Sequence, residues 1–200
     1  HTIHIHYGEE IILLNFKDDV LRYELKPIDL TTIDDISKEV IRTLRNPINS
    51  KSLKEIVKKG DKVVVLADDI TRLTPTKEIL PYVLNEINQG GVNDEDITIV
   101  IALGSHRPMT KEEINIKYGG EVVNRVKILN HDYLDAGILK HYGTTRRGTD
   151  IWVNRLVVEA DVRIGIGNIL PHYPTGWSGG AKILLPGVAG EKTTGLVHLL

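Results

Sequence analysis

The chain has 200 residues, of which 41% are hydrophobic, and it carries 25 lysine and arginine residues against 27 acidic ones. A chain of this length can form one substantial core or at most two small domains. Its nearly balanced charge, without a basic run, argues against a nucleic acid partner. Because cysteine is absent, disulfides, thiolate nucleophiles and cysteine-ligated zinc or iron–sulfur sites are excluded.

The sequence also lacks the features of a membrane or exported protein. No apolar stretch approaches the roughly 20 residues that a transmembrane helix requires. The amino terminus lacks the basic and then apolar profile of a signal peptide. We therefore expect a soluble, cytoplasmic protein with no membrane partner.

Two short strands are predicted at the amino terminus. Residues 2–7 and 11–16 are apolar-rich runs separated by Gly8, so we expect them to pair as a hairpin beside the main sheet. His4 and His6 fall on one face of the first strand because side chains alternate along a strand. We interpret that face as solvent-exposed, with metal binding as the alternative.

Two helices are predicted next. Residues 31–45 carry apolar side chains at helical spacing, with acidic residues near the start of the segment. Ser52 and Glu55 have the spacing of a capping box, which predicts the start of a second helix. We expect that helix to end at Gly60.

From residue 61 onward the pattern alternates between strands and helices. Residues 62–67 and 97–103 are continuous apolar runs, typical of strands that are buried on both faces of a parallel sheet. Further strands are predicted at residues 126–129, 149–156 and 161–167. Helices are predicted at residues 75–88 and after Thr110, which pairs with Glu113 in a second capping box. The predicted fold class is α/β, a mostly parallel sheet with helices on both faces and a short amino-terminal β-hairpin.

Three polar loops directly follow strands of this predicted sheet. They are residues 68–75, 104–108 and 168–178. Because ligands bind where parallel strands end, we expect these loops to meet at one site. Its candidate residues are Asp69, Arg72, His106 and His172.

Each of these loops also has a purely structural interpretation. Asp69 and Arg72 could form a turn with a salt bridge and a helix cap, although an arginine beside backbone amides equally suits a phosphate or carboxylate. His106 could merely satisfy local backbone groups. His131 and His141 lie in less organised sequence, and we expect both at the surface.

The glycine-rich segment at residues 165–200 adds a lysine and another histidine to the candidates. His172, Lys182 and His198 are each suited to proton transfer, covalent attachment or metal binding. The run GWSGGAK resembles a nucleotide-binding P-loop, but Ile183 follows the lysine where a magnesium-binding hydroxyl is required, which argues against an ATPase. The apolar residues after Lys182 favour a nucleophilic amine. Alternatively, its stem lies along the sheet and its amine reaches solvent.

Four segments of the chain together resemble a known family. They are, in order, DDITRLTP, GSHRPMT, LPHYPTGWSGGAK and TTGLVH, and they are similar to segments in the amino-terminal domain of nickel-dependent lactate racemases. That family carries a nickel pincer nucleotide, a pyridinium bisthiocarboxylic acid mononucleotide joined to a lysine through a thioamide. The resemblance implies that Lys182 is the attachment site, that His198 is the nickel ligand, that His106 and His172 are acid/base catalysts, and that Asp69, Ile70, Thr71 and Arg72 hold the nucleotide.

The same resemblance implies racemisation of a small 2-hydroxy acid, with lactate as the leading candidate substrate. One histidine takes the hydroxyl proton while a hydride leaves Cα, so a planar 2-keto acid forms that can be reduced on either face. Two bases are needed because the enantiomers present their hydroxyls from opposite sides, and histidine titrates near neutral pH. Residues 1–200 would form the cofactor-carrying domain, and the implied partners are cofactor-synthesis enzymes and a carboxy-terminal domain absent from this chain.

Two other functions stay open on the residues alone. A zinc hydrolase could use His106, His172 and His198 as three metal ligands with an open water position. That function would leave Lys182 and Arg72 without a role. The other is a noncatalytic domain that binds a phosphorylated small molecule or a partner protein.

Overall fold

The computed structural model describes residues 1–25, 28, 32–172 and 176–198. The chain divides into two compact units, His1–Asp34 and Asp35–Leu200. No helix within the described ranges combines the length and the apolar content needed to cross a bilayer.

The first unit contains a hairpin of two strands, β1 (Thr2–Tyr7) and β2 (Glu10–Asn15). The strands pair antiparallel and form a sheet of their own. Gly8 lies in the turn with a φ of 64°, a conformation that glycine adopts easily because it has no Cβ. The predicted hairpin is therefore confirmed, and His4 and His6 are exposed as expected.

The second unit alternates helices and strands along the chain. In order, its elements are α1 (Ile36–Arg45), α2 (Leu53–Ile56), β3 (Val63–Ala67), α3 (Thr76–Gln89), β4 (Ile97–Ile101), α4 (Lys111–Tyr118), α5 (Gly120–Arg125), β5 (Lys127–Asn130), β6 (Leu139–Thr144), β7 (Asp150–Asn154), α6 (Arg155–Glu159), β8 (Val162–Ile166), β9 (Pro171–His172), β10 (Gly176–Trp177) and α7 (Glu191–His198). Short 3₁₀ turns lie at Asp94–Asp96, Ala136–Ile138 and Gly180–Ile183.

The two helices predicted before the sheet are shorter than expected. α1 begins after Asp35, whereas Thr31, its predicted first residue, lies outside the described residues. α2 begins with its predicted capping box, but its predicted end at Gly60 is wrong. The helix ends early because Val57 adopts extended backbone and packs into the core under α3.

The main sheet contains four parallel strands in the order β5-β4-β3-β8. Val65 of β3 lies opposite Ile99 of β4 on one side and Ile164 of β8 on the other. The two central strands, β3 and β4, are buried along nearly their whole length, which is why they are continuously apolar. The strands predicted at residues 62–67, 97–103, 126–129 and 161–167 are these four, with ends that differ by one or two residues.

Alternate residues of the central strands enter two separate cores. Val65 joins apolar side chains of α3, including Leu84, on one face of the sheet. Val64 and Leu66 join the second core with Val157 of α6. Helices therefore cover both faces of the sheet, as predicted, and each fully buried aliphatic side chain contributes roughly 2 kcal/mol.

The strand predicted at residues 149–156 is present as β7, but it does not belong to the main sheet. It pairs antiparallel with β6, with a register shift between His141 and Gly143. β6 was not predicted, because this strand is exposed along most of its length and has no apolar alternation. His141 is exposed, as expected.

His131 is buried, with 1% of its surface exposed, so its predicted surface position is wrong. Its Nε2 lies 3.0 Å from the carbonyl oxygen of Ala189, and its Nδ1 lies 3.3 Å from the side-chain amide nitrogen of Asn154. The amide donates to Nδ1 and Nε2 donates to the carbonyl, so a neutral imidazole is fully hydrogen-bonded. Loss of hydration lowers the pKa of His131.

Candidate active site

The three predicted loops meet at one end of the main sheet. β3, β4 and β8 run parallel, with β3 between the other two, so the segments that follow them begin at the same edge. A cavity of about 220 Å³ lies at this edge, within the second unit. It is lined by six of the residues singled out from the sequence, namely Asp69, Arg72, His106, His172, Lys182 and His198.

The two other predicted site residues, Ile70 and Thr71, are not among the lining residues. Thr71 instead donates two hydrogen bonds to Asp69 Oδ1, from its backbone amide (2.9 Å) and from its hydroxyl (2.5 Å). The amide of Arg72 donates to the carbonyl oxygen of Asp69 at 3.2 Å. The loop after β3 therefore curls around the Asp69 side chain, as short polar residues commonly do in turns.

Asp69 also contacts His106, the histidine of the loop after β4. His106 Nδ1 lies 2.5 Å from Asp69 Oδ2, and the Asp69 side chain is only 4% exposed against 43% for the imidazole. Burial acts to raise the pKa of Asp69, but hydrogen bonds from Thr71 and His106 outweigh burial and hold that pKa below its usual value. Because an ionised carboxylate only accepts hydrogen bonds, His106 Nδ1 carries a proton. In the neutral ring, Nε2 is then the basic nitrogen.

His172 lies in a short two-stranded ribbon, in the segment that follows β8. β9 and β10 pair antiparallel, with His172 opposite Gly176. Loss of hydration lowers the pKa of His172, and the positive charges of Lys182 and Arg72 lower it further. A histidine with a lowered pKa is neutral near pH 7 and can accept a proton.

Lys182 lies in the 3₁₀ turn Gly180–Ile183 and is half-buried. The turn packs closely against the backbone of Gly187. A Cβ added at Gly187 would lie 2.1 Å from the carbonyl oxygen of Ile183, the last residue of the turn. The Gly187 amide donates to the Lys182 carbonyl oxygen at 3.1 Å, and the Gly187 carbonyl accepts from the Gly104 amide at 2.8 Å. The glycine thus connects the lysine turn to the loop that carries His106.

His198 is the last residue of α7, and its ring is oriented by the helix itself. His198 Nδ1 lies 2.8 Å from the carbonyl oxygen of Thr194, four residues earlier. The carbonyl can only accept, so Nδ1 carries the proton and Nε2 is left as the donor atom for a metal. Neutral imidazole is a good ligand for nickel and for other late first-row metals.

The described side chains form no group of three or more histidine, cysteine, aspartate or glutamate residues placed to hold one metal ion. His106, His172 and His198 are all described, so they share a cavity without forming a three-histidine zinc site.

Several polar residues of the cavity were not singled out from the sequence. They are Asp68, Ser105, Asn168, Ser178 and Thr194. Ser178 has an evident structural role, since its hydroxyl accepts from the Leu170 amide and lies 3.1 Å from the Leu170 carbonyl oxygen. All five lie in the predicted loops or in the TTGLVH segment. Their closeness in sequence to the candidate residues could therefore have identified them as residues of the cavity.

Residues 7–200 match the family described as Lactate racemase N-terminal domain. The chain belongs to this family. Two curated relatives support the assignment. The lactate racemase of Thermoanaerobacterium thermosaccharolyticum is 32% identical over 190 residues, covering 94% of this chain and 44% of the relative. The lactate racemase of Lactiplantibacillus plantarum is 33% identical over 194 residues, covering 96% and 46%.

Two solved structures have a similar fold. The lactate racemase apoprotein of T. thermosaccharolyticum superposes with a TM-score of 0.79 at 32% identity, covering 95% of this chain and 44% of that one. A protein from Thermotoga maritima gives a TM-score of 0.62 at 27% identity, covering 79% and 38%. The chain spans less than half the length of the curated relatives it matches.

Proposed function

We propose that this chain is the cofactor-carrying part of a 2-hydroxy acid racemase that uses a lysine-tethered nickel pincer nucleotide, with lactate as the first substrate to test. The observation that carries the proposal is that three imidazoles and one amine line a single cavity where the parallel strands end. They belong to His106, His172, His198 and Lys182. Family membership supports the same reaction class, since both curated relatives are lactate racemases.

The residues present fit the proposed cofactor. Lys182 supplies an amine for the thioamide link, and His198 presents Nε2 as a metal ligand because its Nδ1 is held by Thr194. Arg72 supplies a planar guanidinium suited to a phosphate or to a substrate carboxylate. When bound, the nickel pincer nucleotide would accept the Cα hydride of the substrate and return it.

His106 is proposed as one of the two proton carriers. Its Nε2 takes the hydroxyl proton of one enantiomer, while Asp69 holds Nδ1 protonated and stabilises the positive ring that results. The carboxylate is in turn held by Thr71. The proton therefore passes to a ring whose tautomer and orientation are set before the substrate binds.

His172 is proposed as the second proton carrier, for the enantiomer that presents its hydroxyl from the other side. The basic groups around it favour its neutral form, which is the form that accepts a proton. After hydride loss the substrate is a planar 2-keto acid. When the hydride returns to the opposite face, the imidazole on that side, which starts the turnover protonated, donates its proton to the keto oxygen, so the two imidazoles exchange protonation states in each turnover. Racemisation then needs no net oxidation or reduction.

The remainder of the protein and the enzymes that build the cofactor are further proposed partners. The direct test is to express the full-length protein together with the cofactor-synthesis enzymes, digest it and weigh its peptides. We expect the cofactor mass on the peptide that contains Lys182, and conversion of pure L-lactate to a racemic mixture. A loaded protein that leaves lactate and other small 2-hydroxy acids unchanged would refute the proposed reaction.

A further inference from the structure

Lys117 lies behind the loop that carries Asp69 and Arg72, and it is buried to an extent that is unusual for lysine. It is the penultimate residue of α4, and its side chain is 7% exposed. A charged group in such a place is costly unless it is paired and hydrogen-bonded. Its partners therefore indicate what it does.

All the partners of the Lys117 ammonium that we identify lie in one loop. Its Nζ donates to the carbonyl oxygen of Arg72 at 2.6 Å and to that of Thr74 at 2.9 Å. It also lies 3.4 Å from Oδ1 of Asp68, whose side chain is 8% exposed. Two hydrogen bonds and one ion pair of the ammonium therefore span the loop from its first residue to its seventh.

Neighbouring residues of α4 and α3 strengthen the same connection. The hydroxyl of Tyr118 donates to the carbonyl oxygen of Asp68 at 2.9 Å. The hydroxyl of Thr76 donates to the carbonyl oxygen of Lys117 at 2.8 Å. Thr74 donates its hydroxyl to the carboxylate of Asp68. The end of α4 is therefore bound to both ends of the loop.

The same loop also lines the cavity. Asp69 pairs with His106. The carbonyl oxygen of Arg72 accepts a hydrogen bond from Lys117, while the residue also lines the cavity. We infer that Lys117 is a positioning residue, which holds the Asp68–Thr74 backbone so that Asp69 orients His106 and Arg72 faces the bound ligand. The inference rests on the proposed function for the assignment of this loop to the site.

The experiment reads the ring tautomer of His106 in the full-length apoprotein, so that it does not depend on racemase activity. Histidine is labelled with ¹⁵N, and the His106 signals are assigned by their loss in His106→Ala. In the wild type we expect the tautomer with the proton on Nδ1. In Lys117→Met the apolar stem remains but the donors are lost, and we expect a mixture of tautomers.

Lys111→Met is the matched control, because Lys111 lies exposed at the other end of α4, and it should retain the wild-type tautomer. Should Lys117→Met not fold, Asp68→Asn/Lys117→Met removes the carboxylate left without its cation, and the same mixture is expected. A folded variant with the wild-type tautomer would overturn the inference, and so would failure of both variants to fold, since Lys117 would then be required for folding alone.

A kinetic measurement on the cofactor-loaded protein separates this inference from the proposed function. We expect Lys117→Met to lower kcat/KM for lactate by at least about 10-fold, with Lys111→Met unchanged. If the wild type does not racemise lactate but Lys117→Met still alters the His106 tautomer, the proposed function fails and the positioning role stands.

Discussion

The carboxylate of Asp69 directly contacts His106, a proposed catalytic histidine, through one oxygen, and its other oxygen accepts two hydrogen bonds. Both donors of Thr71 bind Oδ1. In Asp69→Asn the amide oxygen would stay with Thr71, so the amide NH₂ would face His106 Nδ1. The ring would then carry its proton on Nε2 and could not act as a base.

We therefore predict that Asp69→Asn lowers kcat by about 100-fold or more, since general-base catalysis is commonly worth that much. Nickel and cofactor content per protein should stay at the wild-type level, as measured by metal analysis and peptide mass. Asp132→Asn, at an exposed aspartate that caps a turn, is the control. An Asp69→Asn enzyme with normal turnover would show that the contact with His106 has no catalytic role.

His131 makes a prediction about stability rather than catalysis. Its pKa is lowered from the usual 6.5 by burial, so below pH 6.5 the unfolded chain binds a proton that the folded chain does not. The free energy of unfolding should therefore fall as the pH falls through and below this value. Protonation would also place a second N–H against the Asn154 amide.

The variant His131→Gln should flatten this pH dependence, because the titrating group is gone. It should also be less stable at pH 7 by about 1–3 kcal/mol, since buried hydrogen bonds are disturbed. Urea unfolding at several pH values measures both effects, with the exposed His141→Gln as control. An unchanged slope in His131→Gln would mean that the buried imidazole does not titrate as described.

At the scale of elements, Gly187 couples the Lys182 turn to the loop after β4. A Cβ there would meet backbone atoms of Ile183 at 2.1 Å and the Ala102 side chain at 3.0 Å. Backbone cannot yield cheaply, so Gly187→Ala should destabilise the protein by about 1–3 kcal/mol. It should also displace Lys182 and reduce the amount of cofactor attached.

Gly195→Ala provides the comparison for this substitution. Gly195 lies in α7 with no heavy atom near a built Cβ, and alanine in a helix is favoured over glycine by up to about 1 kcal/mol. Thermal unfolding should therefore shift upward in Gly195→Ala and downward in Gly187→Ala. Equal behaviour of the two variants would show that the close approach at Gly187 is unimportant.

The elements that the sequence predicted well are those whose composition reflects their surroundings. β3 and β4 are continuously apolar because both faces are covered, and Thr110 and Glu113 form the capping box that starts α4. β6 was missed because its pairing with β7 depends on a partner that no local pattern reveals. The burial of His131 was missed for the same reason, since its partners lie at Asn154 and Ala189.

At the scale of the whole molecule, the position of the candidate site could be predicted because parallel topology gathers loops that are distant in sequence. Knowing that His106, His172 and Lys182 follow or lie near strand ends was enough to place them together. The contact of Asp69 with His106 could not be predicted, because it depends on loop conformation. The same holds for the ion pair of Lys117 with the loop.

The curated lactate racemases that the chain matches are longer than the chain itself. Since the chain spans less than half of their length, kinetic experiments require the full-length protein. The proposed proton carriers and the proposed tether all lie within this chain. The roles of those residues can therefore be tested by single substitutions here.

The most direct test of the account is the turnover of two single variants, His106→Ala and His172→Ala, in the full-length, cofactor-loaded protein. Racemisation is followed from pure L-lactate and from pure D-lactate, with the cofactor mass on the Lys182 peptide measured in each sample. We predict that each variant keeps the cofactor and loses racemisation in both directions, because the reaction needs both proton carriers. Near-normal turnover in either variant, with the cofactor in place, would contradict the two-histidine site.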